Sequence, residues 1–249
     1  MPDPGRAKHE RYQIVLPPSK PDYPPLPWEC ADVTMLNVYF EVRKEILLDY
    51  LPMEFNRTTP GYCRLFIFYA PKSPVGPFCD ATLALGCRLN MMPAAFVAAA
   101  ITDNPHVRAA GIFERGYPNT LGKIEVESDK SKAHALVSDE KGPLIEILMP
   151  LLQTIEPSRL AYDHVDAIKT SNGDAGVCTE LLVTSPDIKI DRAAICKNVR
   201  LEYPAERPDS VWQILRNRNI VSAQLVRGTR TFAAAHPPGM QSPPMPAQR

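Results

Sequence analysis

The sequence predicts a mainly β protein with a few short helices, and three features of the chain support this fold class. Several segments are rich in β-branched and aromatic residues, and some alternate apolar with polar residues, as half-buried strands do. Pro, Gly, Asn and Asp separate these segments at the spacing of an antiparallel sheet or barrel. Proline, with 27 copies, is about twice as frequent as in an average protein, which favours a loop-rich β protein over a helical bundle.

The predicted strands follow one another through most of the chain. Each is a short β-branched or aromatic segment bounded by turn-forming residues. In sequence order they are Val33–Val42, Tyr62–Ala70, Ala81–Leu89, Lys123–Glu127, Ala133–Ser138, Leu144–Met149, Cys178–Thr184, Val199–Tyr203 and Ile220–Phe232.

Three short helices are predicted between the strands. Arg43–Leu51 has apolar residues at helical spacing and stops before Pro52. Asn104-Pro105 starts a second helix, because the Asn side chain accepts hydrogen bonds from the first free N–H groups and Pro has no N–H to satisfy. This helix should end near Gly116. Pro208-Asp209-Ser210 starts a third helix, before an apolar segment.

The composition excludes several classes of partner. Lys plus Arg equals Asp plus Glu at 28 each and no dense basic run occurs, so we expect no nucleic-acid partner. The longest strongly apolar run, Pro93–Ile101, is too short to cross a bilayer. The N-terminal residues are polar and lack the apolar core of a signal peptide. We therefore expect a cytoplasmic protein that does not contact a membrane.

The sequence also predicts that the protein uses no cofactor and no metal. The 5 histidines are scattered without a metal-binding spacing, and the 12 glycines form neither a Rossmann nor a P-loop pattern. The 6 cysteines form no Cys-x-x-Cys pair, and most lie inside apolar runs, where cysteine behaves as a small hydrophobic residue.

One domain with two proline-rich ends is the simplest organisation for a chain of 249 residues. We predict an N-terminal extension over residues 1–30, a domain over residues 31–235 and a tail over residues 236–249. The tail has too few apolar residues to bury enough surface, so we expect it to be disordered.

From about Val33 to Ala233, the chain resembles the acetoacetate decarboxylase superfamily in the order and spacing of several landmarks. These landmarks are Leu51-Pro52 at a helix end, the strands up to Asp80, Thr102-Asp103-Asn104 before the second helix, Tyr117-Pro118, and Asn219-Ile220 at the start of the last strand. The resemblance implies a closed, cone-like antiparallel β-barrel with outer helices and an inner cavity for a small-molecule substrate. It also implies a homo-oligomer.

The resemblance further implies a strand at Ala94–Ile101. This segment is alanine-rich, and helix propensity alone favours a helix there. We follow the resemblance, because burial often overrides propensity.

The segment Gly116-Tyr117-Pro118-Asn119-Thr120-Leu121-Gly122 departs from the family at its centre. Family members carry two lysines where this chain has Asn119 and Thr120. The first lysine forms a Schiff base with a β-keto acid, and the neighbouring cation lowers its pKa so that the amine keeps a free lone pair. An asparagine amide has no such lone pair, so these residues argue against Schiff-base decarboxylation.

The other positions implied by the resemblance also differ. The carboxylate-binding arginine of the family falls at or beside Val33, one cavity glutamate falls near Leu65, and the other aligns with Asp80. A buried carboxyl without a nearby cation has a raised pKa, which suits acid–base catalysis near neutral pH. Asp80 is therefore the candidate acid–base residue, with a solvent-facing position at a strand end as the alternative.

Asn119 and Thr120 are candidates for stabilising a substrate oxyanion, because an amide and a hydroxyl can donate hydrogen bonds to a developing negative charge. The alternative is a simple turn, which Pro and Asn also favour. Tyr117, in the same segment, is a candidate for substrate binding.

Three charged residues near this segment are further candidates for substrate binding. Arg108 and Arg115 lie on or near the preceding helix and could bind a substrate carboxylate, although charges on the exposed face of a helix are more common. Lys123 is the candidate for a displaced Schiff-base lysine. It lies on an alternating strand with two glutamates, which would stabilise its charged form instead.

Three functions remain open from the sequence. The preferred one is an enzyme that resembles acetoacetate decarboxylase but works without a Schiff base. It would act as a lyase or isomerase (dehydration, cyclisation, retro-aldol cleavage or a similar step) on a small keto or enol acid of secondary metabolism. The second is a non-catalytic small-molecule-binding or structural protein on the same scaffold. The third is a decarboxylase that uses Lys123.

Overall fold

A computed structural model describes residues 3–8, 20–89, 92–160, 165–171, 178–184 and 187–236 of the chain. A short 3-10 helix covers Pro157–Arg159. The strands and α-helices in chain order are β1 (Trp28–Glu41), α1 (Lys44–Tyr50), β2 (Asn56–Arg57), β3 (Tyr62–Ala70), β4 (Phe78–Leu89), β5 (Met92–Thr102), α2 (Pro105–Arg115), β6 (Asn119–Leu121), β7 (Lys123–Ser128), β8 (Ala133–Asp139), β9 (Gly142–Met149), β10 (Leu152–Ile155), β11 (Val165–Ser171), β12 (Cys178–Thr184), β13 (Asp187–Cys196), β14 (Arg200–Glu202), α3 (Val211–Ile214) and β15 (Asn219–Phe232).

The strands form a large sheet and a small one, which confirms the mainly β class with a few helices. The large sheet has the order β10-β13-β15-β1-β3-β4-β5-β11-β12, with β2 paired to β4 and β6 paired to β5. The small sheet has the order β14-β9-β8-β7. Within the described residues, the two end strands of the large sheet do not pair with each other. Closure into a cone-like barrel therefore stays an expectation from the resemblance.

The strand at Ala94–Ile101 is present as part of β5, and its pairing differs from the predicted antiparallel pattern. Most neighbouring strands are antiparallel, but β5 pairs in parallel with both β6 and β11. A parallel pair requires a crossover connection, and α2 is the crossover between β5 and β6. This βαβ unit is an exception to the antiparallel pattern that the sequence predicts, and it places Asn119 opposite Ala100.

Helix α2 begins and ends as the sequence predicts. The Asn104 side chain accepts hydrogen bonds from the backbone N–H groups of His106 (2.9 Å) and Val107 (3.3 Å). Gly116 ends the helix in the left-handed region with φ of 66°, where a residue without a Cβ fits at no steric cost. The chain then returns to the sheet at β6, only a few residues later.

The large sheet buries both of its faces. One face carries Leu36, Leu65 and Leu83 and packs against the small sheet, α1 and α3. The opposite face packs against Val107 and Ala110 of α2. We call this opposite face the α2 face, and its residues on the central strands are Met35, Phe66, Phe68, Asp80, Thr82 and Val226.

The structure describes only part of the two predicted proline-rich ends. Residues 237–249 of the predicted tail lie outside the described residues. Residues 20–27 belong to the predicted N-terminal extension, and this segment contacts α2: Tyr23 Oη donates to Glu114 Oε1 at 2.9 Å. Among the residues that the structure describes, no helix has the length and apolar character needed to cross a bilayer.

Candidate functional site

Asp80 is a buried carboxyl on the α2 face of β4, between Phe68 on β3 and Thr102 on β5. Asp80 is only 3% exposed, and its Oδ1 atom has no hydrogen-bond partner within the described residues. Burial raises the pKa of Asp80 to about 6, although Arg115 and Arg230 both favour the ionised form. The alternative of a solvent-facing Asp80 does not fit this position.

Arg115 is the last residue of α2 and is buried beside two aromatic rings. Its Nη2 donates to Tyr117 Oη at 2.6 Å. Its guanidinium carbon lies 4.1 Å from the ring centroid of Tyr117 and 4.3 Å from that of Phe232. Cation–π contacts of this kind hold a guanidinium inside an apolar environment. The predicted binding residues Arg115 and Tyr117 therefore lie together at the end of α2.

Arg230 reaches the same cluster from β15, and the sequence analysis did not select it. Its guanidinium carbon lies 4.5 Å from the ring centroid of Phe66 and 5.0 Å from that of Phe68. The sequence predicts no cation beside Asp80, because the family's arginine falls at Val33. The structure corrects this prediction, since Arg230 and Arg115 both act on the pKa of Asp80.

Asn119 is the first residue of β6, the strand that follows α2, and its side chain points toward Asp80. It is 4% exposed. Its amide lies close enough to lower the pKa of Asp80, although the two side chains do not form a hydrogen bond of normal geometry. Within the described residues, neither Oδ1 nor Nδ2 of Asn119 has a hydrogen-bond partner. Both polar atoms are thus buried and available to a ligand.

The remaining candidates lie outside this cluster. Thr120 is exposed, and its Oγ1 donates to the backbone oxygen of Ala100 at 3.3 Å, because successive side chains of β6 point to opposite sides. Lys123 has a 72% exposed side chain, with Nζ 2.5 Å from Oε1 of Glu125. Arg108 donates from Nε to the backbone oxygen of Asn119 at 3.4 Å, so it supports β6.

The structure also shows which residues of β3 face Asp80, near the position where the resemblance places the second cavity glutamate of the family. Leu65 lies on the face that packs against the small sheet, whereas its neighbour Phe66 lies on the α2 face. Because strand side chains alternate, an assignment that is off by one residue changes the face. Arg64, Phe66 and Phe68 are therefore residues of β3 whose side chains share the face of Asp80.

Two surface clefts lined by described residues lie away from this cluster. A cleft of about 440 Å³ is lined by Glu127, His134 and Arg200 of the small sheet, among others. Another of about 580 Å³ lies between residues 20–26 and α2, beside Glu114. Neither contains a buried carboxyl. We place the candidate site at Asp80, where a raised pKa coincides with buried polar atoms that lack partners.

This arrangement can bind an anion and move a proton. A carboxyl with a pKa of about 6 is largely ionised at neutral pH and can accept a proton and return it. Two buried guanidiniums can hold a carboxylate, and the Asn119 amide can donate to a carbonyl oxygen. Among the residues whose side chains the structure describes, which do not include Lys169, no lysine is buried, so this cluster offers no described amine nucleophile.

Known structures share this fold at low sequence identity. Acetoacetate decarboxylase from Legionella pneumophila is 16% identical with a TM-score of 0.77, over 92% of this chain and 94% of that chain. The enduracididine biosynthesis enzyme MppR, complexed with pyruvate, is 12% identical with a TM-score of 0.71, over 86% and 91%. An acetoacetate decarboxylase-like enzyme from Sphingomonas wittichii RW1 is 13% identical with a TM-score of 0.68, over 85% and 91%.

Sequence comparison gives the family directly. No curated protein sequence is significantly similar to the chain. The family model described as acetoacetate decarboxylase matches residues 14–236, which is most of the chain. This match covers the landmarks from Leu51-Pro52 to Asn219-Ile220, and the structural neighbours share the same fold. The chain therefore belongs to the acetoacetate decarboxylase family.

Proposed function

We propose that this protein is an acetoacetate-decarboxylase-like enzyme that works without a Schiff base, as a lyase or isomerase on a small keto or enol acid. The observation that carries the proposal is the pair formed by Asp80 and Asn119. The Asp80 carboxyl is buried and has a pKa of about 6. Beside it lies the neutral amide of Asn119, which stands where the resemblance places the nucleophilic lysine.

In this proposal Asp80 is the general base and then the general acid. Its carboxylate removes a proton from the carbon next to the substrate carbonyl, and the electron pair of that C–H bond forms an enolate. The protonated Asp80 then gives the proton back, either to another carbon of the substrate or to a leaving hydroxyl group. The first route is an isomerisation and the second a dehydration, and neither needs an oxidant or a cofactor.

The charged and polar neighbours stabilise the negative charge of this intermediate. The Nδ2 group of Asn119 donates a hydrogen bond to the enolate oxygen. Arg115 and Arg230 bind the substrate carboxylate, and the rings of Phe66 and Phe232 hold the two guanidiniums in place. Buried donors act strongly here, because little water competes with them.

A displaced Schiff-base lysine is disfavoured. Lys123 is exposed and forms an ion pair with Glu125, which stabilises the charged amine. Imine formation requires the neutral amine and contact with the substrate. The decarboxylase reading therefore lacks a nucleophile among the buried described residues.

A solved neighbour supports a keto acid as the class of substrate. MppR is described as an enduracididine biosynthesis enzyme, and its structure contains pyruvate, a short keto acid. Our proposal keeps the closed barrel and the homo-oligomer that the resemblance implies. It also keeps the expected role in secondary metabolism and the cytoplasmic location.

Hydrogen–deuterium exchange tests the proton transfer directly. The protein is incubated in D₂O with short keto acids, and proton NMR follows loss of the hydrogens next to the carbonyl. We expect exchange above the buffer rate with the wild type and at the buffer rate with Asp80→Asn. Asp49→Asn, at an exposed position of α1, is the matched control and should behave as the wild type.

The same experiment separates catalysis from simple binding. Exchange at the buffer rate with every keto acid, together with measurable binding of one of them, would favour the second function, a non-catalytic binding protein. Enzyme-dependent exchange that is unchanged in Asp80→Asn would contradict the role of Asp80.

A further inference from the structure

A row of polar side chains crosses the α2 face next to Asp80. The strand register places the members of this row opposite one another on adjacent strands, with two apolar residues between them. From β15 to β6 the row reads Gln224, Asn37, Phe66, Thr82, Ala100, Asn119. We call Gln224, Asn37, Thr82 and Asn119 the polar row.

Several atoms of this row are buried without a protein partner. Within the described residues, Thr82 Oγ1, Gln224 Oε1 and both side-chain polar atoms of Asn119 make no hydrogen bond, and neither does Asp80 Oδ1. Thr82 is 2% exposed and Asn119 4% exposed. Buried polar atoms in folded proteins are nearly always paired. A group of such atoms on one face therefore needs partners from outside the chain, either buried water or the polar groups of a ligand.

The kind of atom determines the kind of partner. The Oδ1 atom of Asn119 and the ionised Asp80 only accept hydrogen bonds, and the Thr82 hydroxyl can accept as well as donate. If the assignment of the amide N and O atoms of Asn119 were reversed, the amide would still have one unpaired donor group and one unpaired acceptor, because both atoms lack a partner. The carboxylate and carbonyl of an unsubstituted keto acid offer acceptors only, so they satisfy the Nδ2 group and leave the acceptors unpaired.

We infer that the substrate is a hydroxylated keto acid, whose hydroxyl groups donate to the acceptors around Asp80, Thr82 and Asn119. This inference rests on the proposed function for the keto acid itself. Hydroxyl groups fit better than amines, because Arg115 and Arg230 disfavour a further buried cation. Asp80 and Thr82 are two residues apart on one strand, roughly 7 Å, so donors on different carbons of a short chain can reach both.

Matched pairs of acids test the inference by direct binding to the full chain. Calorimetry compares 2-oxobutyrate with 4-hydroxy-2-oxobutyrate, and butyrate with 3,4-dihydroxybutyrate, which has no keto group. We expect the hydroxylated member of each pair to bind at least about tenfold more tightly, because a buried acceptor left unpaired penalises the other member.

Substitutions at Thr82 assign the preference to the polar row. Thr82→Val keeps the shape of the side chain and removes its hydroxyl, so it should reduce the preference within both pairs by removing an acceptor that the non-hydroxylated acids leave unpaired. Thr82→Ser keeps the hydroxyl and should keep the preference. Thr34→Val is the matched control, because Thr34 is buried on the opposite face of the same sheet.

The outcomes separate this inference from the proposed function. Equal affinities within both pairs, or no binding of any of the four acids, would overturn the inference, since water would then satisfy the polar row. A preference that Thr34→Val abolishes as strongly as Thr82→Val would overturn it too. A clear preference without any Asp80-dependent exchange would leave the inference standing and remove the catalytic proposal.

Discussion

A Cβ atom at Gly111 would lie 2.7 Å from the Nδ2 atom of Asn119, so the asparagine amide occupies the space that a larger residue at this point of α2 would fill. The backbone oxygen of Gly111 also accepts a hydrogen bond from the N–H of Tyr117 at 2.9 Å. Gly111 thus lets β6 approach the helix closely, and this approach sets the position of the Asn119 amide beside Asp80.

Gly111→Ala should therefore reduce activity without reducing stability. Alanine in a helix is favoured over glycine by about 1 kcal/mol. Here that gain is offset because the methyl group must displace the end of one flexible side chain. We expect the free energy of unfolding in urea to change by less than about 1 kcal/mol, while Asp80-dependent exchange falls about tenfold or more.

A double-mutant cycle provides the control for this prediction. When Asn119→Ala is already present, Gly111→Ala should have little further effect on exchange, because its target is gone. Independent, additive losses in the double variant would show that Gly111 acts on the site by another route.

Borohydride should not trap a keto acid on the wild-type protein. Lys169 aside, whose side chain lies outside the described part, no lysine is buried, and Lys123 is exposed and ion-paired with Glu125. Mass spectrometry of the reduced protein should show no added substrate mass after incubation with acetoacetate. A substrate adduct mapped to Lys123 would restore the decarboxylase reading.

Two single variants sharpen the trapping experiment. Asn119→Lys places an amine at a buried position near Arg115 and Arg230, where burial and like charges lower its pKa, so we expect an adduct. Thr120→Lys places the amine on the exposed side of β6, so we expect none. An adduct on Thr120→Lys alone would mean that the two residues have exchanged faces in the working protein.

Local signals explain why much of the fold could be predicted from the sequence. The cap at Asn104, the glycine at Gly116 and the β-branched segments each specify an element through nearby residues. Pairing depends on distant residues, so the parallel β5–β6 pair could not be read from the pattern. Strands β10 and β13 were not predicted, because neither segment stands out by composition.

The site was harder to predict because both faces of the large sheet are buried. Alternation in β15 shows that Gln224, Val226 and Arg230 share a face, but not which face meets α2. Arg230 was missed for this reason, and the position near Leu65 could not be assigned to one face of β3. Asp80, Asn119 and Arg115 could be selected, since the resemblance marked their positions or their segment.

Arg230→Met should raise the pKa of Asp80 further. Burial raises that pKa to about 6 while Arg230 lowers it, so removing the cation removes part of the opposing effect. Carbon-13 NMR of labelled aspartate carboxyls should show the Asp80 titration moving to higher pH. Arg227→Met is the matched control, because Arg227 donates to Ser128 from the other side of β15. A shift with Arg227→Met as large as with Arg230→Met would contradict the assignment.

Asp80 should also make the protein less stable as the pH rises. Its pKa is about 6 in the folded protein, above the ordinary aspartate value of 3.8 that applies in the unfolded chain. Between these values the folded protein binds more protons than the unfolded chain, so the contribution of Asp80 to the free energy of unfolding falls as the pH increases. The loss approaches about 3 kcal/mol once the pH exceeds the folded pKa.

Asp80→Asn removes this titration and should therefore be most stabilising, relative to the wild type, at neutral pH. Urea unfolding of both proteins between about pH 4 and pH 8 should give a stability difference that grows up to about pH 6 and is constant above it. Other groups titrate equally in both proteins and cancel. Asp49→Asn, at an exposed position, should give no such trend. A difference for Asp80→Asn that does not vary with pH would place the Asp80 carboxyl in contact with water, and the proposed proton transfer would lose its basis.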